Sequence, residues 1–455
     1  MWGHRANCRS LVCSLSWTSS DANAMIARGG LSIGFGGDSG TRTHSSASRL
    51  LHKGWDSEAM ASDGPSRARI LLVTLRRVNM HAAWCSNFEF EDVIHSVDDV
   101  DMLELEPAPH FELRQHVARS IAWRIRYRAF ADLNPGLKSV RLNRDYDVLV
   151  FVCMNVWDLL YLNAVVDWQA RCKVKLCYMA EFYAGQAAEL QHLLRRLEDF
   201  DQVFQSLSSA GTISKIVGRP CHDLSHATDV LRFTPYPKPP ARVIDVLSIG
   251  RRSEPVHQAL RRLAAARDFF YLHDTLPSPL VRPSNPIEHR EMLASAARVS
   301  RFFVAYPAKF GDDEPHGQSE AGARYFEGAA AGAVLLGQAP GALTFHRDFP
   351  WPDAVVELKA DGSDVADVLA DLSRRPDELA RLGARNAVAA LRWHDWAHRW
   401  SSILETIGLA PRPALSERLG TLEALAASAE THAARRTQRT ACTAGVPLGR
   451  DPATA

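Results

Sequence analysis

Short apolar runs alternate with stretches of helical periodicity along most of the chain. In the first half, apolar runs that are typical of buried strands cover 69–74, 147–153, 174–178 and 202–205. Between them, apolar positions recur with the spacing of helices near 113–130, 157–170, 187–199 and 209–217. This alternation predicts a parallel sheet with helices on both faces.

The alternation restarts after a proline-rich segment at 235–240. Strand patterns in this second part cover 243–249, 269–272, 301–305, 334–336 and 354–357. No short-period repeat accompanies this second unit. The sequence therefore predicts an α/β protein with two Rossmann-like domains that face a cleft, one at 68–235 and the other at 236–410.

The two ends of the chain differ from the rest in composition. Residues 1–67 are rich in Ser, Gly, Arg and Ala without sustained periodicity, which predicts a disordered tail. An apolar stretch before Ala22 mimics a secretory signal only weakly, because serines interrupt it, and Met25 and Met60 are alternative starts. Residues 411–455 are rich in Ala, Thr and Arg and are predicted to form a helix fragment and a loose tail.

The composition is that of an ordinary soluble protein, with 46% hydrophobic and 23% charged residues. A net charge of +1 gives no general attraction to nucleic acid, so no nucleic-acid partner is expected. The eight cysteines include no Cys-x-x-Cys pair, which favours a reducing, cytoplasmic location. No apolar run approaches the roughly 18–20 residues that span a bilayer, so only peripheral membrane contact remains open.

The segment 317–337 carries the most chemical information. Glu320, Arg324 and Glu327 stand at positions i, i+4 and i+7, so a helix that begins near Ser319 would present all three on one face. The N-terminus of such a helix suits a phosphate, and its carboxylates are acceptors for sugar hydroxyls. The segment therefore predicts a nucleotide-sugar pocket at a sheet edge; the alternative is a surface ion pair.

Three motifs resemble those of retaining glycosyltransferases of the GT-B type, which have two Rossmann domains. Residues 324–332 resemble the donor-binding signature of that family, and are closest to its spore-maturation-like branch. Residues 394–404 are similar to the C-terminal helix of this branch, and 227–235 to the hinge between the domains. The resemblance implies sugar transfer from a nucleoside-diphosphate donor, with retention of anomeric configuration and without a metal or other cofactor.

The resemblance also implies roles for the turn that follows the first strand of the second domain. Gly250, Arg251 and Arg252 occupy this turn, where relatives hold the donor pyrophosphate. Arginine makes bidentate contacts with phosphate, so Arg251, together with Arg324, is expected to offset the charge of the leaving pyrophosphate. Relatives commonly add a lysine a few residues on, whereas residues 253–257 here read Ser-Glu-Pro-Val-His, so this contact is either missing or supplied by Arg252. The alternative is that the turn is merely an exposed basic one.

The acidic pair departs from the usual family spacing. The resemblance implies that Glu327 accepts hydrogen bonds from the ribose hydroxyls. Glu320 is expected to contact the donor sugar, but it stands one residue closer to Glu327 than its counterpart in most relatives. One residue turns a helix by about 100°, so Ser319 or Gln318 is an alternative contact for the donor.

The first domain offers weaker candidates, for which a structural role is the alternative. Those expected to line the cleft or contact the acceptor are Arg76, Arg77, His81 and Glu181, whereas His222 and His226 are expected to pack or cap. Two Asp-x-Asp triplets, at 99–101 and 145–147, fit a metal-binding pattern of another glycosyltransferase fold. Such triplets arise often by chance, and no metal site is predicted.

Two alternative functions remain open at this level. One is a sugar-nucleotide epimerase, which shares the two-domain architecture. The other is a non-catalytic nucleotide-sugar-binding or scaffold protein on a decayed transferase fold, favoured by the missing lysine and the shifted glutamate. A transferase role, for example in polysaccharide biosynthesis, leaves four acceptor classes open: a saccharide, a lipid-linked molecule, a protein or a small molecule. The sequence specifies neither the sugar of the donor nor its nucleotide base.

Overall fold

The computed structural model describes most of the chain beyond its N-terminal segment. The described residues are 68–125, 132–266, 268–275, 281–311 and 317–444, with side chains described to residue 435. The predicted tail at 1–67 lies outside them, as do residues 445–455.

Two parallel sheets form the centre of the described structure. The strands are β1 (Ile70–Thr74), β2 (Val100–Glu104), β3 (Val140–Arg141), β4 (Tyr146–Cys153), β5 (Val165–Val166), β6 (Cys172–Met179), β7 (Gln202–Gln205), β8 (Cys221–Asp223), β9 (Ile244–Ser248), β10 (Tyr271–His273), β11 (Ser300–Ala305), β12 (Val334–Gly337) and β13 (Val355–Glu357). One sheet has the order β2-β1-β4-β6-β7-β8 and the other β10-β9-β11-β12-β13; β3 and β5 pair separately. All neighbouring strands run parallel, which confirms the predicted α/β class with two Rossmann-like sheets.

Helices cover these sheets and connect their strands. They are α1 (Cys85–Val97), α2 (Phe111–Ile125), α3 (Trp168–Arg171), α4 (Ala187–Leu194), α5 (Ala210–Val217), α6 (Val230–Phe233), α7 (Glu254–Ala264), α8 (Pro286–Arg298), α9 (Ala323–Ala330), α10 (Leu343–Asp348), α11 (Val365–Arg374), α12 (Pro376–Trp393), α13 (Trp396–Thr406) and α14 (Pro413–Ala444). We call the part that carries β1–β8 the N-half and the part that carries β9–β13 the C-half. No helix of the described residues is long and apolar enough to cross a membrane.

Some elements were not apparent from the sequence pattern. Strand β2 lies at a sheet edge with all its residues half-buried, so no continuous apolar run marks it. Helix α1 buries Asn87, Glu89 and Glu91 among its apolar residues, which interrupts the helical periodicity. The single helix predicted near 157–170 is wrong, because β5 divides this segment into a 3-10 helix and α3.

The C-terminal helices complete the core of the N-half. Trp396 at the start of α13 stacks on Phe90 of α1 at 4.5 Å between ring centroids and meets Tyr178 of β6 edge-on. Helix α14 buries Leu415 in this core, whereas its Leu422 packs in the core of the C-half. A single helix occupies 413–444, where the sequence predicted a helix fragment and a loose tail.

Helix α9 lies unusually close to the sheet of the C-half. A Cβ atom added at Gly328 would lie 2.5 Å from Cδ2 of Leu335 on β12 and 2.9 Å from Cγ of Phe303 on β11. Only glycine permits this approach. The close packing brings the charged side chains of α9 next to the loop that follows β9.

Candidate donor site

The turn after β9 is shaped by a glycine and an aspartate. Gly250 has φ +91°, a conformation that favours glycine, and its N–H donates to Oδ2 of Asp274 at 2.7 Å. A Cβ atom at this position would lie 3.3 Å from Nε of Arg324. The turn therefore leaves space for Arg324 directly against the backbone at the carboxyl end of β9.

Arg324 is fixed from two sides. Its Nε donates to the carbonyl oxygen of Ile249 at 2.8 Å, and its Nη1 donates to Oε2 of Glu327. The side chain still keeps 24% of its surface exposed. It is thus a cation held in one orientation, yet accessible, at the sheet edge where ligands of open α/β sheets bind.

The helix that carries Arg324 begins later than predicted. Helix α9 starts at Ala323, with Gly322 as its extended N-cap, rather than near Ser319. Glu320 lies in the preceding loop, where its carbonyl oxygen accepts a hydrogen bond from the N–H of Ala308 at 2.8 Å. The predicted stripe of three charged residues on one helical face is therefore wrong, because only Arg324 and Glu327 belong to the helix.

Glu320 joins the two halves. Its buried carboxylate accepts hydrogen bonds from the N–H and Oγ of Ser208 at 3.1 and 3.3 Å, and from Nε2 of Gln318 at 2.8 Å. Oε1 of Gln318 in turn accepts from the N–H of Ala184 at 2.5 Å. Ser319 is half-buried between them, and its carbonyl oxygen accepts from a backbone N–H at 3.0 Å. Gln318 and Glu320 of the C-half thus hold two loops of the N-half.

Glu327 is completely buried between two arginines. Oε1 accepts from Nη1 of Arg290 and Oε2 from Nη1 of Arg324. Burial alone would raise the pKa of Glu327, but the charges of Arg324 and Arg290 outweigh it and lower the pKa to about 2. In this structure the carboxylate anchors Arg324, so a contact with ribose would require a change of partners.

Arg290 did not emerge from the sequence analysis. It lies on α8 with 4% of its surface exposed and forms a bidentate pair with Glu89 of the N-half, at 3.0 and 2.9 Å. Burial opposes the charge of Arg290, but Glu89 and Glu327 outweigh this and raise its pKa. The sequence did contain an indication that Arg290 is buried. The spacing of Arg290, Leu293 and Ala294 places all three on the buried face of α8.

The segment predicted as a hinge surrounds this pair. Oγ1 of Thr228 donates to Oε2 of Glu89 and accepts from Nη2 of Arg290, both at 3.0 Å. The N–H of Asp229 donates to Glu89 at 2.9 Å, and the ring of Phe233 lies 4.9 Å from the guanidinium carbon of Arg290. Two of the motifs that resemble glycosyltransferases therefore meet at one buried cluster.

The third motif contacts the same segment. Asp395 caps α13 through the N–H of Ala397 at 2.8 Å and also accepts from the N–H of Val230 at 2.9 Å. Arg418 of α14 joins Asp395 to Asp229 at 2.7 Å from each. The three motifs thus form one continuous structural unit at the junction of the halves.

The other two arginines expected at the pyrophosphate occupy the same turn as Gly250. Nη1 of Arg252 donates to Oδ1 of Asp274 at 2.6 Å and to its carbonyl oxygen at 3.1 Å. Nη1 of Arg251 donates to the carbonyl oxygen of Phe310 at 3.1 Å. The structure thus places Arg324 beside the turn that carries Gly250, Arg251 and Arg252, although the charge of Arg252 is already paired with Asp274.

The candidates for the acceptor side do not converge on one place. Arg76 pairs with Asp92 at 2.6 Å, and Arg77 forms exposed ion pairs with acidic residues of the N-half. His81 caps a short 3-10 helix through Nδ1. Glu181 contacts the C-half, because Nζ of Lys309 lies 2.8 Å from its Oε1.

The two histidines expected to pack or cap have neighbours of that kind. His222 forms a hydrogen bond with Oε1 of Gln202 at 2.7 Å. His226 meets Trp396 and Phe326 edge-on, and burial lowers its pKa to about 3, so the ring is neutral. The buried ring of His226 is therefore not an accessible base.

The acidic triplets lie in ion pairs and hydrogen bonds. Asp101 accepts from Arg144 and from the hydroxyl of Tyr146, and Asp147 accepts from Nζ of Lys173 at 2.7 Å. Within the described part of the chain, no group of three His, Cys, Asp or Glu residues is arranged to hold a metal ion.

Comparison with known proteins finds a family similarity for part of the chain. Residues 256–405 match the model of a family described as Glycosyl transferase-like. This part of the chain is glycosyltransferase-like. The match includes α9 and the motif at 394–404, and it confirms the predicted enzyme class at the level of the family, without its retaining mechanism or its branch. A search among curated proteins finds no significant match.

Solved structures show only distant similarity. The Anabaena protein Alr3699/HepE in complex with UDP-glucose has a TM-score of 0.42 and 11% identity, covering 74% of this chain and 99% of that one. A glycosyltransferase from Rickettsia africae has a TM-score of 0.42 and 10% identity, covering 75% and 98%. MnaA of S. aureus with UDP has a TM-score of 0.41 and 9% identity, covering 75% and 97%. With TM-scores below 0.5, nothing about the substrate of this chain follows from them.

Proposed function

We propose that this protein is a glycosyltransferase that moves a sugar from a nucleoside-diphosphate donor to a hydroxyl group of an acceptor. The observation that carries the proposal is the anchoring of Arg324. A buried carboxylate and a backbone carbonyl oxygen hold this accessible cation beside the turn at Gly250. A cation that is already held in place can stabilise a negative charge that develops during the reaction, without first having to reorient its side chain.

The leaving diphosphate supplies that charge in our proposal. As the bond between the sugar and the diphosphate breaks, negative charge accumulates on the phosphate oxygens. Arg324 stabilises this charge, and Arg251 and Arg252 contribute from the adjacent turn. Because arginines provide the positive charge, we include metal independence in the proposal. Ser319 and Glu320 are assigned to the donor side, and Glu327 to the support of Arg324.

We further propose that the anomeric configuration is retained. The family resemblance implies that the donor phosphate itself helps to deprotonate the acceptor in retaining enzymes of this fold, so no separate general base is required. The acceptor would then approach from the N-half. Contacts such as the pair of Lys309 with Glu181 hold the halves together around the reacting groups, which limits hydrolysis of the donor by water.

The test is a binding and turnover assay on the full chain. Purified protein is titrated with UDP, GDP, ADP, CMP and TDP, and the sugar donor of the nucleotide that binds is then incubated with the protein, with and without EDTA. Arg324→Ala is expected to weaken binding by roughly 10- to 100-fold, because charge-assisted hydrogen bonds contribute about 1.5–3 kcal/mol. Arg392→Ala removes an exposed ion-paired arginine of α12 and serves as the matched control.

The outcomes separate the open functions. Release of sugar or its transfer to an acceptor, retained in EDTA, supports the proposal, and NMR of the product reports its anomeric configuration. Binding without turnover supports a non-catalytic nucleotide-sugar-binding protein, and an epimerised donor supports the epimerase. If none of the nucleotides binds the wild type, the donor-site assignment is wrong and the scaffold alternative replaces it.

A further inference from the structure

We propose that Glu89, on α1 of the N-half, is a positioning residue for the donor-site arginine Arg324. It acts through two intermediate side chains, Arg290 and Glu327. The inference deepens the proposed function and rests on it in one respect, namely that Arg324 contacts the diphosphate.

The first step of this connection crosses between the halves. Both oxygens of Glu89 accept from Arg290, Oε1 from Nε at 3.0 Å and Oε2 from Nη2 at 2.9 Å. A bidentate pair fixes the plane of the guanidinium as well as its position. Thr228 contacts both partners, and all three residues are almost completely buried, so water does not compete for these hydrogen bonds.

The second step divides the carboxylate of Glu327 between two arginines. With Nε and Nη2 committed to Glu89, Arg290 presents Nη1 to Oε1 of Glu327. Oε2 is thereby left for Nη1 of Arg324. Charges alternate along the series Glu89, Arg290, Glu327 and Arg324, so each inner ion has an opposite charge on either side.

Loss of the first carboxylate disturbs this division. Without Glu89, the buried charge of Arg290 has only Glu327 as its carboxylate partner in the series, and it competes for both oxygens of that carboxylate. Arg324 then loses one of its two anchors and samples other orientations. Arg324 thereby changes from a fixed cation to a mobile one. Binding of a diphosphate must then order this side chain, and the conformational entropy lost in doing so weakens the affinity.

The sign of the effect separates positioning from simple electrostatics. Glu89→Gln raises the net charge near the site by one, and this change alone would strengthen binding of an anionic diphosphate. Positioning predicts the opposite, a weaker complex. Coupled residues typically interact by enough to change affinity by about tenfold, so we expect a loss of that order.

The experiment measures UDP affinity by calorimetry for the full chain and its variants, at a temperature where melting curves show each to be folded. Glu91→Gln is the matched control: Glu91 lies on the same helix and is equally buried, but it bonds to Thr74 and Arg76 within the N-half. We expect about tenfold weaker UDP binding for Glu89→Gln and unchanged binding for Glu91→Gln.

A double-mutant cycle with Arg324 distinguishes positioning from a general loss of structure. In an Arg324→Ala background, Glu89→Gln should have no further unfavourable effect on UDP affinity, because the group it positions is gone. A general structural effect would persist in that background and would overturn the proposal. Unchanged or tighter binding in Glu89→Gln alone would overturn it as well. If Glu89→Gln does not fold, Glu89→Asp keeps the charge, shortens the reach to Arg290 and is expected to show the same loss.

A second measurement does not depend on the donor. Modification of Arg324 by phenylglyoxal, followed by mass spectrometry of its peptide, reports how firmly the guanidinium is held. We expect faster modification in Glu89→Gln than in Glu91→Gln. Equal rates would refute the connection even if no nucleotide binds. Faster modification, when none of UDP, GDP, ADP, CMP and TDP binds the wild type, would leave the connection intact and refute the proposed function.

Discussion

The buried carboxylate of Glu327 allows a quantitative prediction for Glu327→Gln. The pKa of this group is about 2, against an ordinary value of 4.5, because Arg324 and Arg290 outweigh the effect of burial. At about 1.36 kcal/mol for each tenfold change in proton affinity, the difference corresponds to roughly 3 kcal/mol of folding free energy at neutral pH. Loss of one partner from a buried ion pair has a similar magnitude, about 3–5 kcal/mol.

The sign of the pH dependence follows from the direction of the shift. A carboxylate whose pKa is lowered on folding stabilises the native state at any pH above the pKa that the group has in the unfolded chain. This stabilisation is lost as the pH falls from about 4.5 towards 2. The free energy of unfolding of the wild type should therefore exceed that of Glu327→Gln by roughly 3 kcal/mol at pH 7, and by less at pH 3.5.

Denaturation by urea at the two pH values measures this difference. Glu378→Gln is the control. The ion pair of Glu378 with Arg375, at the start of α12, is accessible to solvent and should contribute little to the free energy of unfolding. A Glu327→Gln protein as stable as the wild type at pH 7 would refute the reasoning. So would a difference that stays constant down to pH 3.5, because the stability would then not come from the charge of Glu327.

Three other residues give predictions of different kinds. Burial raises the pKa of Glu91 to about 7, so wild-type stability should fall as the pH rises from about 4.5 to 7; Glu91→Gln should flatten this part of a urea-denaturation profile. Glu320→Ala removes the acceptor for the N–H of Ser208 and should accelerate hydrogen exchange of that amide, whereas slow exchange would show that Glu320 does not join the halves. Gly328→Ala places a methyl group 2.5 Å from Leu335 and should destabilise the protein by about 1–3 kcal/mol in thermal melting; an unchanged melting temperature would contradict this packing.

The buried cluster also explains why the hinge motif has its composition. Thr228 is small enough to lie between Glu89 and Arg290 and carries a hydroxyl that donates to one and accepts from the other. Phe233 provides an aromatic face for the same guanidinium. A buried ion pair is costly unless its remaining hydrogen-bonding groups are satisfied, and the hinge satisfies them.

The fold class and the positions of most strands could be predicted from the amino-acid sequence. Short apolar runs such as β4 and β11 are buried on both faces of a sheet, and this burial is a local property that the pattern records. The motif around Arg324 was also apparent, because an alanine-rich helix followed by a buried strand is a local pattern. What the sequence could not supply was the start of α9, which depends on the extended backbone at Gly322 and on contacts of the preceding loop.

Which charged side chains pair with one another depends on the three-dimensional packing of the chain. Glu89 and Arg290 are 201 positions apart, and nothing in the spacing of either links it to the other. Each stands on a helix whose remaining buried residues are mostly apolar, so its charge is tolerated only because the folded chain brings the opposite charge within hydrogen-bonding distance. Local patterns specify helices and strands because their periods are short. The partners of a buried ion are set by the packing of the two halves, and that packing exists only after the chain has folded.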